Sequence, residues 1–258
     1  MRIARFTTGE DPMFGIVSEK DGQDMVYGLA GDPLYTEIRP NGTILPLADV
    51  RLLAPVIPRS KVVCVGKNYA AHAAEMGSEV PEEALFFLKP NTAVVGPGDP
   101  VVIPAYSSEV SLEAELAVVI QRMAKDITPE QVDDVILGFT CANDFTARDA
   151  QRRENQWFRA KAFDTSCPIG PWIETELDLA DAAIGSSVDG EVAQAGTTAD
   201  MLRGVPELVS EISRVLTLLP GDIILTGTPA GVRTVEAGSE VDVTIEGIGT
   251  LTNPVVRR

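Results

Sequence analysis

The 258-residue sequence has one histidine, three cysteines, and 21 lysines and arginines against 38 aspartates and glutamates. No apolar run approaches the roughly 20 residues that a membrane-spanning helix needs. Each shortage excludes something. The formal net charge of −17 repels phosphate backbones and anionic lipid surfaces, so neither nucleic acid nor membrane is expected as a partner. If the substrate is an anion, cationic side chains must be concentrated where it binds. Cys64, Cys141 and Cys167 are odd in number, far apart and set in apolar segments. They suit neither a disulfide frame nor a zinc site and read as buried thiols of a reducing compartment. The amino terminus lacks the apolar stretch of a secretory signal, and a cytoplasmic protein is expected. With a single histidine, any imidazole chemistry falls to His72.

The hydrophobic share of 45% and the charged share of 23% are those of an ordinary globular chain. The length suffices for one large core, or for a small domain joined to a larger one. Residues 1–57 read as a small N-terminal β module. Strand-like stretches at 2–6, 13–18 and 24–29 alternate with the turn signals Asp21-Gly22, Asp32-Pro33 and Asn41-Gly42. Their polar residues form no constellation, which leaves the module a structural role. Residues 58–258 form the larger second part, and Pro55 and Pro58 punctuate the junction.

Residues 110–120 carry the most regular pattern in the chain. Val110, Leu112, Ala114, Leu116, Val118 and Ile120 are all apolar at every second position, the period of a strand with one face in the core. Glu113 and Glu115 share the other face. Carboxylates at i and i+2 point the same way about 6.5–7 Å apart. They can close on one cation, or they can be two acids on a solvated face, the more ordinary reading of that segment alone. His72 has the same ambiguity. A strand at 61–65 ends at Gly66, Asn68 is placed as an N-cap, alanines favour helix and Gly77 can stop it. His72 and Glu75 then lie at i and i+3, where a carboxylate can orient the ring of a general base. A lone histidine is otherwise a packed or surface residue. The charged, glycine-bearing stretch 77–83 that follows reads as a flap.

Further along, Thr128-Pro-Glu-Gln131 marks a helix start. An apolar strand at 135–143 breaks at Asp144, with Thr146 placed to cap a following helix. A carboxylate at that position is either a site residue or a turn aspartate. Lys161 sits in a basic, aromatic run at 157–164 and reads either as a site cation or as solvated surface. Asp189-Gly190 centres a hairpin, and 205–218 has the spacing of an amphipathic helix. The loop Gly227-Thr228-Pro229-Ala230-Gly231 fits neither a P-loop nor a dinucleotide fingerprint. Its N–H groups and the Thr228 hydroxyl are suited to a carboxylate.

Six motifs occur in one order: Gly66-Lys-Asn-Tyr-Ala-Ala-His72-Ala-Ala-Glu75-Met76, Phe86-Phe87-Leu88-Lys89-Pro90, Glu113-Ala-Glu115-Leu-Ala-Val-Val, Asn143-Asp144-Phe-Thr-Ala-Arg-Asp-Ala-Gln151, Lys161-Ala-Phe-Asp-Thr-Ser-Cys-Pro-Ile-Gly-Pro171 and Pro220-Gly-Asp-Ile-Ile-Leu-Thr-Gly-Thr-Pro-Ala-Gly-Val232. Together they resemble the fumarylacetoacetate hydrolase family across most of the second part of the chain. The resemblance implies a β-rich α+β fold, a mixed-sheet roll or sandwich, and a homodimer. It implies that Glu113, Glu115 and Asp144 hold Mg2+ or Mn2+, for which hard oxygen ligands are suited. Three carboxylates around a 2+ ion leave −1, which Lys161 would offset for a small anionic oxo-acid substrate. His72, Glu75 and Lys161 are implied as catalytic, the first two activating water in hydrolases of the family. Lys67, Gln151 and Thr228 are implied as substrate-binding.

The expected activity is hydrolysis of a C–C bond in acylpyruvate-type, fumarylpyruvate-like 2,4-dioxo acids through a metal-stabilised enolate. The same metal site would also serve a 2-hydroxyhepta-2,4-diene-1,7-dioate isomerase or an oxaloacetate decarboxylase. A reading of another class is a non-catalytic β protein whose acids bind calcium. The sequence departs from the family at Lys67, where arginine is common, at Ser111, where an acid is frequent, and at Ser166, where a large aromatic residue is frequent. An ammonium at Lys67 cannot make the forked contact of a guanidinium.

Overall fold

In the computed structural model, which describes residues 1–257, the alternating stretch 110–120 is two strands, not one. Val110–Ser111 joins Thr146–Ala147 and Thr234–Val235 in a small three-stranded sheet. Ala114–Ile120 runs in the centre of a twelve-stranded sheet. Between them the backbone has other partners: Leu112 N donates to Arg233 O, and Glu113 N donates to Asn143 Oδ1. Both faces of Ala114–Ile120 are buried. Leu116, Val118 and Ile120 enter one core cluster, and Ala117 and Val119 enter the cluster on the opposite side. A solvated face for Glu113 and Glu115 is therefore excluded.

The main path of the large sheet runs Pro40–Pro46, Gln23–Leu29, Met13–Lys20, Arg2–Thr7, Cys167–Glu174, Ile136–Asn143, Ala114–Ile120, Ile223–Leu225, Val62–Gly66, Leu85–Lys89. Its pairs are antiparallel, apart from the parallel pair Ile223–Leu225 with Val62–Gly66. Arg2 and Ile3 pair with Glu174 and Ile173, so the strands of the N-terminal residues prolong the central sheet. They also carry a small core of their own around Phe6, Val17 and Val26. A five-stranded sheet runs Glu191–Thr197, Ala183–Val188, Glu240–Ile245, Gly249–Arg257, Val101–Ile103. The strand-rich architecture with few, short helices is the α+β fold that the motifs imply.

The helix Val205–Val215 buries Val205, Leu208, Val209 and Ile212, spaced i, i+3, i+4, i+7, in the same cluster as Leu116 and Val118. That cluster fixes the central strand from one side, and the apolar contacts beneath it fix the other. Two expected caps are replaced. Asn68 does not cap Ala70–Glu75, because its side chain donates to Arg203 O and Thr226 O and accepts from Arg203 N. Thr146 lies in a strand and donates to Asp144 O, so the helix Arg148–Arg153 starts without it. Gly77 does end the first helix, at φ +62, with Ser78 N donating back to Ala73 O. The three cysteines are free and buried. Burial pushes the Cys141 and Cys167 thiols up to about 12. Among the described residues no helix is long and apolar enough to cross a membrane.

Candidate active site

Glu113, Glu115 and Asp144 are brought together by strand register. Ala114 pairs with Asn143 and Glu115 with Ala142, and Asp144 N donates to Glu113 O just beyond the ladder. The three residues are 4%, 2% and 0% exposed. One carboxylate oxygen from each lies within 4.8 Å of the others. Three acids so far from solvent require compensation.

Three cations supply it. Lys161 Nζ donates to Glu113 Oε2 at 2.6 Å and to Asp144 Oδ2 at 2.7 Å. Arg148 Nη2 donates to Glu113 Oε1 at 2.6 Å. Lys89 Nζ stands 2.7 Å from Asp144 Oδ1. Lys161 was expected here from the sequence; Arg148 and Lys89 were not. Both sat inside quoted motifs without a role. The available signals were a lysine closing the apolar strand Leu85–Lys89 and an arginine three residues before Gln151, whose Oε1 accepts from Arg148 Nη1 at 3.0 Å.

The compensation is uneven. Burial alone would push the Glu113 carboxyl up, but Lys161 and Arg148 hold it well below the ordinary carboxylate range. Burial would lower the Lys161 ammonium pKa, yet Asp144 and Glu113 more than reverse this, and it stays charged. Glu115 has no ion-pair partner of its own among the described residues. Burial, then Asp144 and Glu113, push its carboxyl well above the ordinary value, against Lys161 and a 2.6 Å hydrogen bond from Gly227 N. A further positive charge would relieve that tension.

The donor set fits a divalent cation. Oxygens sharing one ion at about 2.1–2.4 Å lie no more than about 4.8 Å apart, which the triad satisfies. Asp144 Oδ1 is buried without a hydrogen-bond partner. Lys89 is at ion-pair distance from it, but the Lys89 hydrogens go to Lys161 O, Ser166 O and Ser166 Oγ. That oxygen is thus offset in charge by Lys89 yet accepts no hydrogen bond, which suits it to a cation. All-carboxylate donors suit Mg2+ or Mn2+ and disfavour softer ions.

His72 is 6% exposed on the helix Ala70–Glu75. Its Nδ1 lies 3.3 Å from Glu75 Oε2. An ionised carboxylate can only accept, so Nδ1 is the donor, and in the neutral ring the lone pair belongs to Nε2. Glu75 is held in turn by Gly231 N, 3.1 and 3.2 Å from its two oxygens. Gly231 is at φ +98, and a Cβ there would meet Ala193 O at 2.3 Å, so only glycine lets this loop approach.

Both groups open onto one cavity of about 240 Å3. His72, Lys161, Lys67, Gln151, Thr228 and the acidic triad line it, while Glu75 stands behind His72. Lys67, Arg148, Arg152 and Lys161 place four cations around it, the local concentration that an anionic ligand needs in an acidic protein. Lys67 sits at φ +57, a left-handed conformation that costs a non-glycine residue about 1 kcal/mol or more. Phe87, Trp157 and Met76 form an apolar part of the wall. The Phe87 and Trp157 rings meet edge-on at 5.6 Å.

The sequence profile described as fumarylacetoacetate (FAA) hydrolase C-terminal matches residues 61–256. The chain belongs to the fumarylacetoacetate hydrolase family. A second profile, Rv2993c-like N-terminal, matches residues 1–55. Within the family the chain is 49% identical to Protein Rv2993c of Mycobacterium tuberculosis, over 100% of this chain and 99% of that one. It is 43% identical to the human mitochondrial oxaloacetate tautomerase FAHD2A, over 83% of this chain and 72% of that protein. Solved structures that cover all of it include the following two. One is 2-hydroxyhepta-2,4-diene-1,7-dioate isomerase from Mycobacterium marinum, with TM-score 0.92, 48% identity and 99% of that chain covered. The other is a maleylpyruvate hydrolase from Sphingobium sp. in complex with manganese(II) and pyruvate, with TM-score 0.81, 32% identity and 99% of that chain covered. Family members are thus enzymes of several reaction types, and the acidic triad is a site at which such a protein can hold a metal.

Proposed function

We propose that this protein is a divalent-metal-dependent enzyme acting on a small 2-oxo acid, and that its step is proton transfer between enol and keto forms. The observation that carries this reading is that one cavity joins the buried acidic triad to His72, whose ring Glu75 orients through Nδ1. A Mg2+ or Mn2+ held by Glu113, Glu115 and Asp144 would supply a Lewis acid that stabilises negative charge developing on the oxo group. The chain's own residues do the rest. Lys161, Lys67 and Thr228 bind and orient the carboxylate and add positive charge near it. His72 Nε2 takes a proton from C3 as the C3–H bond breaks, and the enolate oxygen takes a proton from solvent to complete the enol. In the opposite direction the oxygen gives its proton to solvent and the imidazolium, stabilised by Glu75, returns one to C3. The names of the tautomerase and isomerase relatives support this direction.

A second reading, hydrolysis of an acylpyruvate, is favoured by one feature: the Phe87, Trp157 and Met76 wall. A four-carbon diacid has no apolar portion for that wall, whereas an acyl chain does. Here His72 would take the proton of an attacking water. The anionic oxo-acid substrate, a homodimer and a cytoplasmic location belong to the same proposal.

The test follows three products with Mg2+ present. Enol oxaloacetate in D2O reports deuterium at C3, the same acid reports release of CO2, and an acylpyruvate reports cleavage into two acids. Deuterium uptake abolished by EDTA supports tautomerisation. Cleavage without faster uptake moves the assignment to the hydrolase, and CO2 release moves it to a decarboxylase. Turnover undiminished by EDTA contradicts the metal dependence, and absence of all three activities returns the site to a non-catalytic cation-binding role.

A further inference from the structure

Gln194 lies outside the cavity lining and none of the six sequence motifs includes it. It is 1% exposed on the strand Glu191–Thr197, and its amide makes four hydrogen bonds. Oε1 accepts from Ala114 N and from Ser186 Oγ, both at 2.9 Å. Nε2 donates to Pro229 O and to Thr228 Oγ1, both at 2.7 Å. Two of these partners leave no choice. A backbone N–H can only donate, so the atom facing Ala114 is the oxygen. A proline carbonyl can only accept, so the atom facing Pro229 is the nitrogen.

The consequence falls on Thr228. The second N–H of Gln194 points at its hydroxyl, which must therefore accept there. The single hydroxyl hydrogen of Thr228 has to point elsewhere, and among the described residues it has no protein acceptor. Thr228 is 3% exposed and lines the cavity. We propose that Gln194 is a positioning residue that makes the Thr228 hydroxyl an obligate hydrogen-bond donor to a carboxylate oxygen of the bound oxo acid. Its oxygen simultaneously ties that loop to Ala114, the residue between Glu113 and Glu115. One buried amide thus links the metal-holding strand to the carboxylate-holding loop. Because its oxygens would accept where the amide donates, Gln194→Glu would reverse the bond: Thr228 would donate to residue 194 and turn lone pairs toward the cavity.

The proposal rests on the oxo-acid reading, and the test separates the two. Oxalate, two adjacent carboxylates with no reaction to undergo, is titrated calorimetrically into the full-length protein with saturating Mg2+. The proteins are wild type, Gln194→Glu, Thr228→Val and the double variant. Gln194→Glu is expected to weaken oxalate binding by about 10-fold or more, the effect of losing a hydrogen bond to a charged group. In the Thr228→Val background the same change is expected to alter binding less than about twofold, because the group it acts through is gone. Equal losses in both backgrounds overturn the proposal, since a merely structural glutamine weakens both alike. If Gln194→Glu does not fold, Gln194→Met, of similar length without the amide, is put through the same cycle with the same criterion. Wild-type protein that binds no oxalate overturns the oxo-acid reading instead, a result distinct from additivity.

Discussion

The acidic triad and His72, with Glu75 behind it, meet at one cavity, yet the fold builds the two sides differently. Glu113, Glu115 and Asp144 stand at or beside the ends of two central strands, are almost fully buried, and are held by three cationic side chains and a backbone N–H. Glu75 has a side chain 34% exposed, on a six-residue helix, and its anchor to the rest of the site is the Gly231 N–H. The acidic side is thus part of the core, where charge and packing depend on one another. On the histidine side, His72 is buried, but Glu75 is joined to the rest of the site by a few polar contacts. Changes on the first side should cost stability and binding together, whereas changes on the second should cost rate alone.

Asp144→Ala is the largest break. It removes one ligand and leaves Lys89 and Lys161 buried with too little negative charge. Stability is expected to fall by about 3–5 kcal/mol in denaturant unfolding, with loss of activity and of stoichiometric divalent-cation binding. His72→Ala should lower kcat by about 10²–10⁴-fold while the cation titrates as in wild type, which separates the two sides. Glu75→Gln should cost less, about 10-fold in kcat or ~1.4 kcal/mol, because an amide oxygen still orients Nδ1 but no longer stabilises the imidazolium. A tighter or weaker metal affinity in Glu75→Gln would show that the two sides are coupled. Leu208→Ala, in the helix packed on the central strand, sharpens the contrast from outside. It should lose about 2–5 kcal/mol of stability and leave kcat/KM within about twofold.

The same division explains what the sequence made legible. The period-2 run at 110–120 revealed a strand and two acids on one face, because side-chain alternation is a local property. It did not reveal that both faces are covered, which depends on the helix Val205–Val215 and on strands distant in the chain. Nor did it show the break at Leu112 and Glu113, which arises from hydrogen bonds to Arg233 and Asn143. His72 and Glu75 were readable as a pair from helical spacing; the Gly231 anchor was not, since it lies 156 residues away. Arg148 and Lys89 carried no role in the sequence, because it takes the fold to set a helix start and a strand end against the acids. Asn68 looked like a cap, but its side chain instead joins Arg203 to Thr226 across the fold. Gln194 gave no signal at all, because a glutamine in a hairpin acquires meaning only from the four groups around it.

The buried triad is expected to hold one divalent cation independently of the histidine. Titration of Mn2+ followed by electron paramagnetic resonance tests it directly. Wild type should show one tight site per chain, lost in Asp144→Asn and retained in His72→Ala. Unaltered tight binding in Asp144→Asn, or no tight site in folded wild-type protein, would contradict it.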